Sequence, residues 1–171
     1  MADRSTFPIR ALLSAEARDF LGIEEVGGDN RGPAVEWILK GADLSPGEPW
    51  CAAFVNRIAE IAFAKKNLPS PLESVPFEGY VQSYYDYGKI HGWLRPEDHD
   101  PHPGDLFVVY HASKQRYAHI GFVIDPHSVG GRFLTIEGNS NTDGGRNGYG
   151  VVSNQRPYAA KIRFLNPWDE T

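Results

Sequence analysis

The chain has 171 residues, 41% hydrophobic and 12% aromatic, which is enough to bury a core without metal or disulfide support. Its net charge of −5 and pI near 5.6 argue against a nucleic-acid or anionic-membrane partner, both of which select a basic face. One cysteine excludes an internal disulfide. No run of eighteen apolar residues exists to span a membrane, and the first residues lack the apolar stretch of a signal peptide.

Apolar residues at Ile9, Leu12, Leu13, Ala17, Phe20 and Leu21 follow a helical period that Gly22 ends. A second short helix is expected after Asn30-Arg31-Gly32-Pro33, with Pro33 in its first turn and Gly41 at its end. The third begins at Pro49-Trp50-Cys51. Trp50, Ala53, Phe54, Ile58, Ile61 and Ala62 recur near 3.6 residues, with Asn56, Arg57, Glu60 and Lys65 on the other side. Pro49 is placed in its first turn. Residues 68–76 carry three prolines and read as a loop, and a fourth helix is expected over 77–90.

After Pro101–Gly104 the period shortens to that of strands, over 105–110, 117–125, 131–139, 150–154 and 161–165. Helices first and strands afterwards, joined by connections too short for crossover helices, give an α+β fold with an antiparallel sheet of about five strands. The helices are expected to pack on Phe107, Val109, Ile120, Phe122, Ile124, Leu134 and Ile136. No linker divides residues 1–171, so one domain is expected.

Cys51 falls in the first turn of the third helix, where unpaired N–H groups and the helix dipole favour a thiolate. Taken alone, such a cysteine is more commonly a core residue. If Asp125 pairs with Gly131, His119 stands opposite Glu137 on one sheet face, with Cβ atoms about 4.5–5.5 Å apart. A shift of two keeps the two residues diagonal on that face, and a shift of one separates them. A thiol, an imidazole and an orienting polar group are the parts of nucleophilic cysteine chemistry. Glu137 is the first candidate for the orienting group and Asn139 the second; an isolated His/Glu cross-strand pair is otherwise a solvated surface pair. The other histidines show no metal-ligand spacing, and Asp98, Asp100 and Asp105 do not match a calcium loop, so no metal or other cofactor is expected.

Pro49-Trp50-Cys51-Ala52-Ala53-Phe54-Val55, Pro103-Gly104-Asp105-Leu106, His119-Ile120-Gly121-Phe122-Val123 and Ile136-Glu137-Gly138-Asn139-Ser140 resemble, in order, the landmarks of CHAP domains. These are the cysteine, histidine-dependent amidohydrolases/peptidases of the papain-like cell-wall hydrolase group. The resemblance covers about residues 24–154. It implies a papain-like fold, Cys51 as nucleophile, His119 as base and acid, and Glu137 as orienting group, with Asn139 assisting or replacing it. The Cys51 N–H would serve the oxyanion. Trp50 stands where many papain-like enzymes carry a Gln donor, and Asn30, Arg31 and Trp50 are candidate substrate contacts. The run from Ser140 to Gly150 is expected to be a mobile loop beside the groove.

The activity so implied is cleavage of a peptidoglycan amide, as an N-acetylmuramoyl-L-alanine amidase or a peptide endopeptidase. An intracellular amidase on a peptide conjugate, acyl transfer to an amine and a non-catalytic wall-binding module are the alternatives. The expected partner is peptidoglycan or a peptide, met by a monomer made in the cytoplasm and reaching the wall by phage lysis or a secretion system. An immunity or inhibitor protein would accompany the secreted case.

Overall fold

A computed structural model describes residues 8–142 and 148–168. The central part of the expected 140–150 loop, residues 143–147, lies outside the described residues. Helices α1 (Ile9–Asp19), α2 (Pro33–Lys40), α3 (Cys51–Ala64) and α4 (Val81–Ile90) precede strands β1 (Leu106–His111), β2 (Arg116–Ser128), β3 (Arg132–Ser140), β4 (Gly150–Pro157) and β5 (Ile162–Leu165). The strands form one antiparallel sheet in the order β4-β3-β2-β1-β5. The architecture is α+β.

Helix α2 starts as its residues dictate: Gly32 at the N-cap takes a φ of 115°, and Pro33 supplies a pre-set φ at the first helical position. Pro49, by contrast, precedes the N-cap of α3, which is Trp50. The fourth helix is shorter than its apolar pattern suggests. Phe77 adopts a φ of 56° and is 82% exposed, so the chain turns there and helix begins only at Val81. A 3-10 turn at Pro71–Ser74, closed by a Ser70/Glu73 capping box, interrupts the proline-rich loop.

Helix α3 is the centre of the molecule and is buried almost all round, including Asn56, which donates to Glu78 at 2.5 Å. It lies close on the sheet because Gly138 has no side chain: a Cβ there would meet the Phe54 side chain at 2.5 Å. Phe54 in turn packs edge-on against Phe122, ring centroids 6.2 Å apart.

The sheet is buried on both faces, and this corrects the expected core. Leu106, Val108, Ile120, Phe122, Ile124 and Ile136 face the helices. Phe107 and Val109 instead join Val123, Phe133 and Ile162 in a second cluster. The reason is register: Phe107 pairs with Gly121 and Val109 with His119, so they share the face of His119.

The β2–β3 register also differs from the simplest hairpin. Phe122 pairs with Ile136 and Val123 with Thr135, while bulges between Val123 and Asp125 and between Asp125 and Ser128 absorb extra residues. Continued one step, this sets Glu137 opposite Gly121 and diagonal to His119, the even shift that preserves their shared face.

Just before β1, Asp105 closes the fold. Its fully buried carboxylate accepts from Arg10 Nη1 at 2.6 Å, Arg95 Nε at 2.6 Å and the His102 backbone N–H at 2.8 Å. Arg10 continues to Asn166, and the Trp168 indole donates to the Gly104 carbonyl at 2.7 Å. Asp105→Ala leaves two guanidinium groups facing a hole, and we expect a loss of about 3 kcal/mol. In thermal unfolding this is a fall in Tm of about 10 °C; an unchanged Tm would refute the structural role.

Candidate active site

Cys51 opens α3, whose N-cap makes no side-chain hydrogen bond. The first-turn N–H groups are therefore not spent on a side-chain cap. The thiol is buried at the floor of a cleft of about 590 Å³, and the Ala52 and Ile120 backbone N–H groups point at its sulfur. Burial by itself would raise its pKa. The hydrogen bond with His119, the charge of that imidazole and the two backbone donors outweigh burial and hold the thiol below its ordinary value.

His119 projects from β2 and is hydrogen-bonded on both sides. Its Nε2 lies 2.8 Å from Glu137 Oε2, which leaves Nδ1 for the thiol. Burial disfavours the imidazolium, but hydrogen bonds to Cys51 and Glu137 and the charge of both raise its pKa to about 9. Between the lowered value of Cys51 and about 9 the pair is thiolate and imidazolium.

Glu137 is completely buried and saturated with donors. Arg156 reaches it as a fork, Nε to Oε1 and Nη2 to Oε2, both at 2.6 Å. Thr135 Oγ1 donates to Oε1 at 2.6 Å and Ser140 Oγ to Oε2 at 2.8 Å. Burial would raise this carboxyl; the fork from Arg156, then the bond and charge of His119, reverse that and hold it far below the usual carboxylate range. Glu137 therefore stays ionised and does not take the imidazolium proton.

The structure thus brings Cys51, His119 and Glu137 into one hydrogen-bonded chain. Asn139, in a left-handed conformation with a φ of 50°, lines the cleft beside them. Asn30 also lines the cleft, but its side chain donates to the Gly47 carbonyl at 3.1 Å, clasping the loop before α3. Arg31 is exposed near Gly47 and is not among the cleft-lining residues. Trp50 is corrected outright: it is fully buried, its indole donating to Glu25 Oε1 at 2.9 Å, so it packs the core and offers nothing to a substrate.

Thr135 and Arg156 are additions. Thr135 carries a legible signal, lying two residues before Glu137 on the same strand face. Arg156 lies past the expected end of its strand and is reached only because β4 runs on to Pro157. Among the described residues no group of three or more His, Cys, Asp or Glu side chains is arranged to hold a metal ion.

Such an ion pair fixes a pH response. Activity and thiol alkylation both rise as pH passes upward through the lowered pKa of Cys51; activity then falls as His119 loses its proton near 9, whereas alkylation, which needs only the thiolate, does not. The pH dependence of kcat/KM, or of iodoacetamide alkylation, measures this. A thiol that becomes reactive only near its ordinary value of 9.0 would refute the pairing.

Neither a curated protein nor a solved structure matches the chain. The profile of the CHAP domain family matches residues 43–139, which run from before Cys51 through His119 and Glu137 to Asn139. With more than half of its length matched and the thiol, imidazole and carboxylate joined as described, the chain belongs to the CHAP domain family of cell-wall amidases and peptidases.

Proposed function

We propose that the protein hydrolyses an amide bond of peptidoglycan through a cysteine thioester, as an N-acetylmuramoyl-L-alanine amidase or a stem-peptide or cross-bridge endopeptidase. The observation that carries this reading is the hydrogen-bonded chain from Cys51 through His119 to Glu137 at the floor of an open cleft. The thiolate attacks the amide carbon, forming a C–S bond as the carbonyl electrons move to oxygen. The Cys51 N–H, free at the start of α3, donates to that oxyanion. As the oxyanion collapses the C–N bond breaks, and His119 gives its proton to the departing nitrogen.

Water then enters. His119 takes its proton, the hydroxide adds to the thioester, and C–S cleavage releases the carboxylic acid and restores the thiolate. Glu137 stays a carboxylate throughout and keeps the imidazole in one orientation.

Digestion of purified sacculi by the wild type and by Cys51→Ala, with soluble products identified by mass spectrometry, tests the reading. We expect cleavage by the wild type alone, with fragment masses that separate amidase from endopeptidase. A folded wild type that leaves several wall chemotypes intact would overturn it.

A further inference from the structure

The protein is acidic overall, yet its cleft is not. Besides Arg156, its lining includes Lys114, Lys161 and His111 together with His119, against a single carboxylate among the described residues, Asp29. Arg156 has its counter-charge in Glu137. The other arginines in ion pairs, Arg10, Arg57, Arg95 and Arg163, likewise face carboxylates. Lys114 and Lys161 have no ion-pair partner among the described residues. They come from separate elements, the short turn after β1 and the residue before β5, and the Lys161 carbonyl accepts the Tyr110 N–H at 2.8 Å, tying that residue to the end of β1.

These cations act on one another. His111, at the end of β1, is held below its ordinary pKa by burial first and then by the charges of Lys114, His119, Lys161 and Arg156. A wall of like charges that repel one another is relieved by an anion entering the cleft. The wall belongs to the same cleft as Cys51, so the anion must be carried by the molecule whose amide reaches the thiol.

We propose that Lys114 and Lys161, with His111 beside them, form a subsite for a free carboxylate of the peptide substrate, so that the enzyme selects acidic stem peptides over their carboxamide forms. The proposal rests on the hydrolase reading above for its substrate, and on the charge of the cleft for its chemistry.

The test uses one set of soluble wall peptides in two forms, with carboxyls free and with carboxyls converted to carboxamides. For the wild type we expect kcat/KM to favour the free form by about tenfold or more, the scale of one good charge-assisted contact. The preference should shrink in about 1 M salt, where charges are screened within about 3 Å. In the Lys114→Gln/Lys161→Gln double variant the ratio of free to carboxamide form should fall toward one. A wild-type ratio near one, or a ratio that the double variant retains, overturns the subsite. Calorimetric binding of both forms to Cys51→Ala keeps the two proposals separable. If the folded wild type cleaves neither form, the hydrolase reading falls. Preferential binding of the free form then upholds the subsite, and equal or absent binding overturns it.

Discussion

Glu137→Gln lowers kcat by about 10⁴-fold, the scale seen when the orienting carboxylate of a catalytic triad becomes an amide. The substitution preserves shape and removes charge. Oε2 accepts from His119, Arg156 and Ser140, and Oε1 from Arg156 and Thr135. An amide NH2 at either position faces a donor that cannot turn away. Placed toward His119 it forces the proton onto Nδ1, the nitrogen that must accept from the thiol; placed toward Arg156 it meets the guanidinium Nε–H. In either orientation the imidazolium loses its counter-charge, so the thiolate population at neutral pH falls as well. Steady-state kinetics and the rate of thiol alkylation measure the two effects together. A kcat within about tenfold of wild type would remove Glu137 from the orienting role, and Asn139→Ala would then show whether Asn139 fills it.

Arg156→Gln displaces the pH–activity profile upward and lowers kcat by about 10²-fold, as expected when a reacting group loses its fixed position. The sign follows from the charges. Arg156 is the foremost influence holding Glu137 ionised, so without it the carboxyl returns toward its ordinary value, and orientation is lost at a higher pH on the acid side. On the basic side the carboxylate, no longer shared with a guanidinium, favours the imidazolium more strongly, and His119 keeps its proton beyond about 9. Arg156→Lys restores the charge without the fork and should recover the profile more fully than the rate. A profile that superimposes on wild type, with only KM changed, would reassign Arg156 to substrate contact. Stability carries the same signs: the Glu137 contribution is lost as pH falls below the usual carboxylate range, and that of His119 as pH rises through about 9.

The helices and strands are legible because their periods differ and because Gly and Pro mark their ends; the strand that begins at Gly150 runs on past the residues its apolar pattern marks, and Arg156 lies in that extension. Nothing in the local pattern of Tyr158 and its neighbours says how far β4 runs, since pairing with β3 sets its length. Which face Phe107 takes was equally out of reach. Alternation says that Phe107 and Val108 point apart, but only the pairing with Gly121 decides which of them meets the helices. The simplest hairpin sets His119 opposite Glu137; the bulges shift the register by two and leave them diagonal on the same face. Trp50 misled because an aromatic beside the nucleophile reads equally well as a groove wall and as core; its bond to Glu25, distant in sequence, makes it core.

The low pKa of Cys51 owes nothing to its neighbours in sequence beyond Ala52. It depends on an imidazole and a backbone N–H from β2, and through them on a carboxylate from β3 and a guanidinium from β4. In a nascent or unfolded chain the same cysteine is an ordinary, sluggish thiol. Nucleophilic power is thus switched on by the docking of α3 against the completed sheet, and a chain caught halfway holds no reactive sulfur with which to attack its own makers. The single thiol is for the same reason a built-in gauge of native assembly, since its reaction with a small electrophile at neutral pH counts only molecules in which the three strands that carry its partners have closed around it.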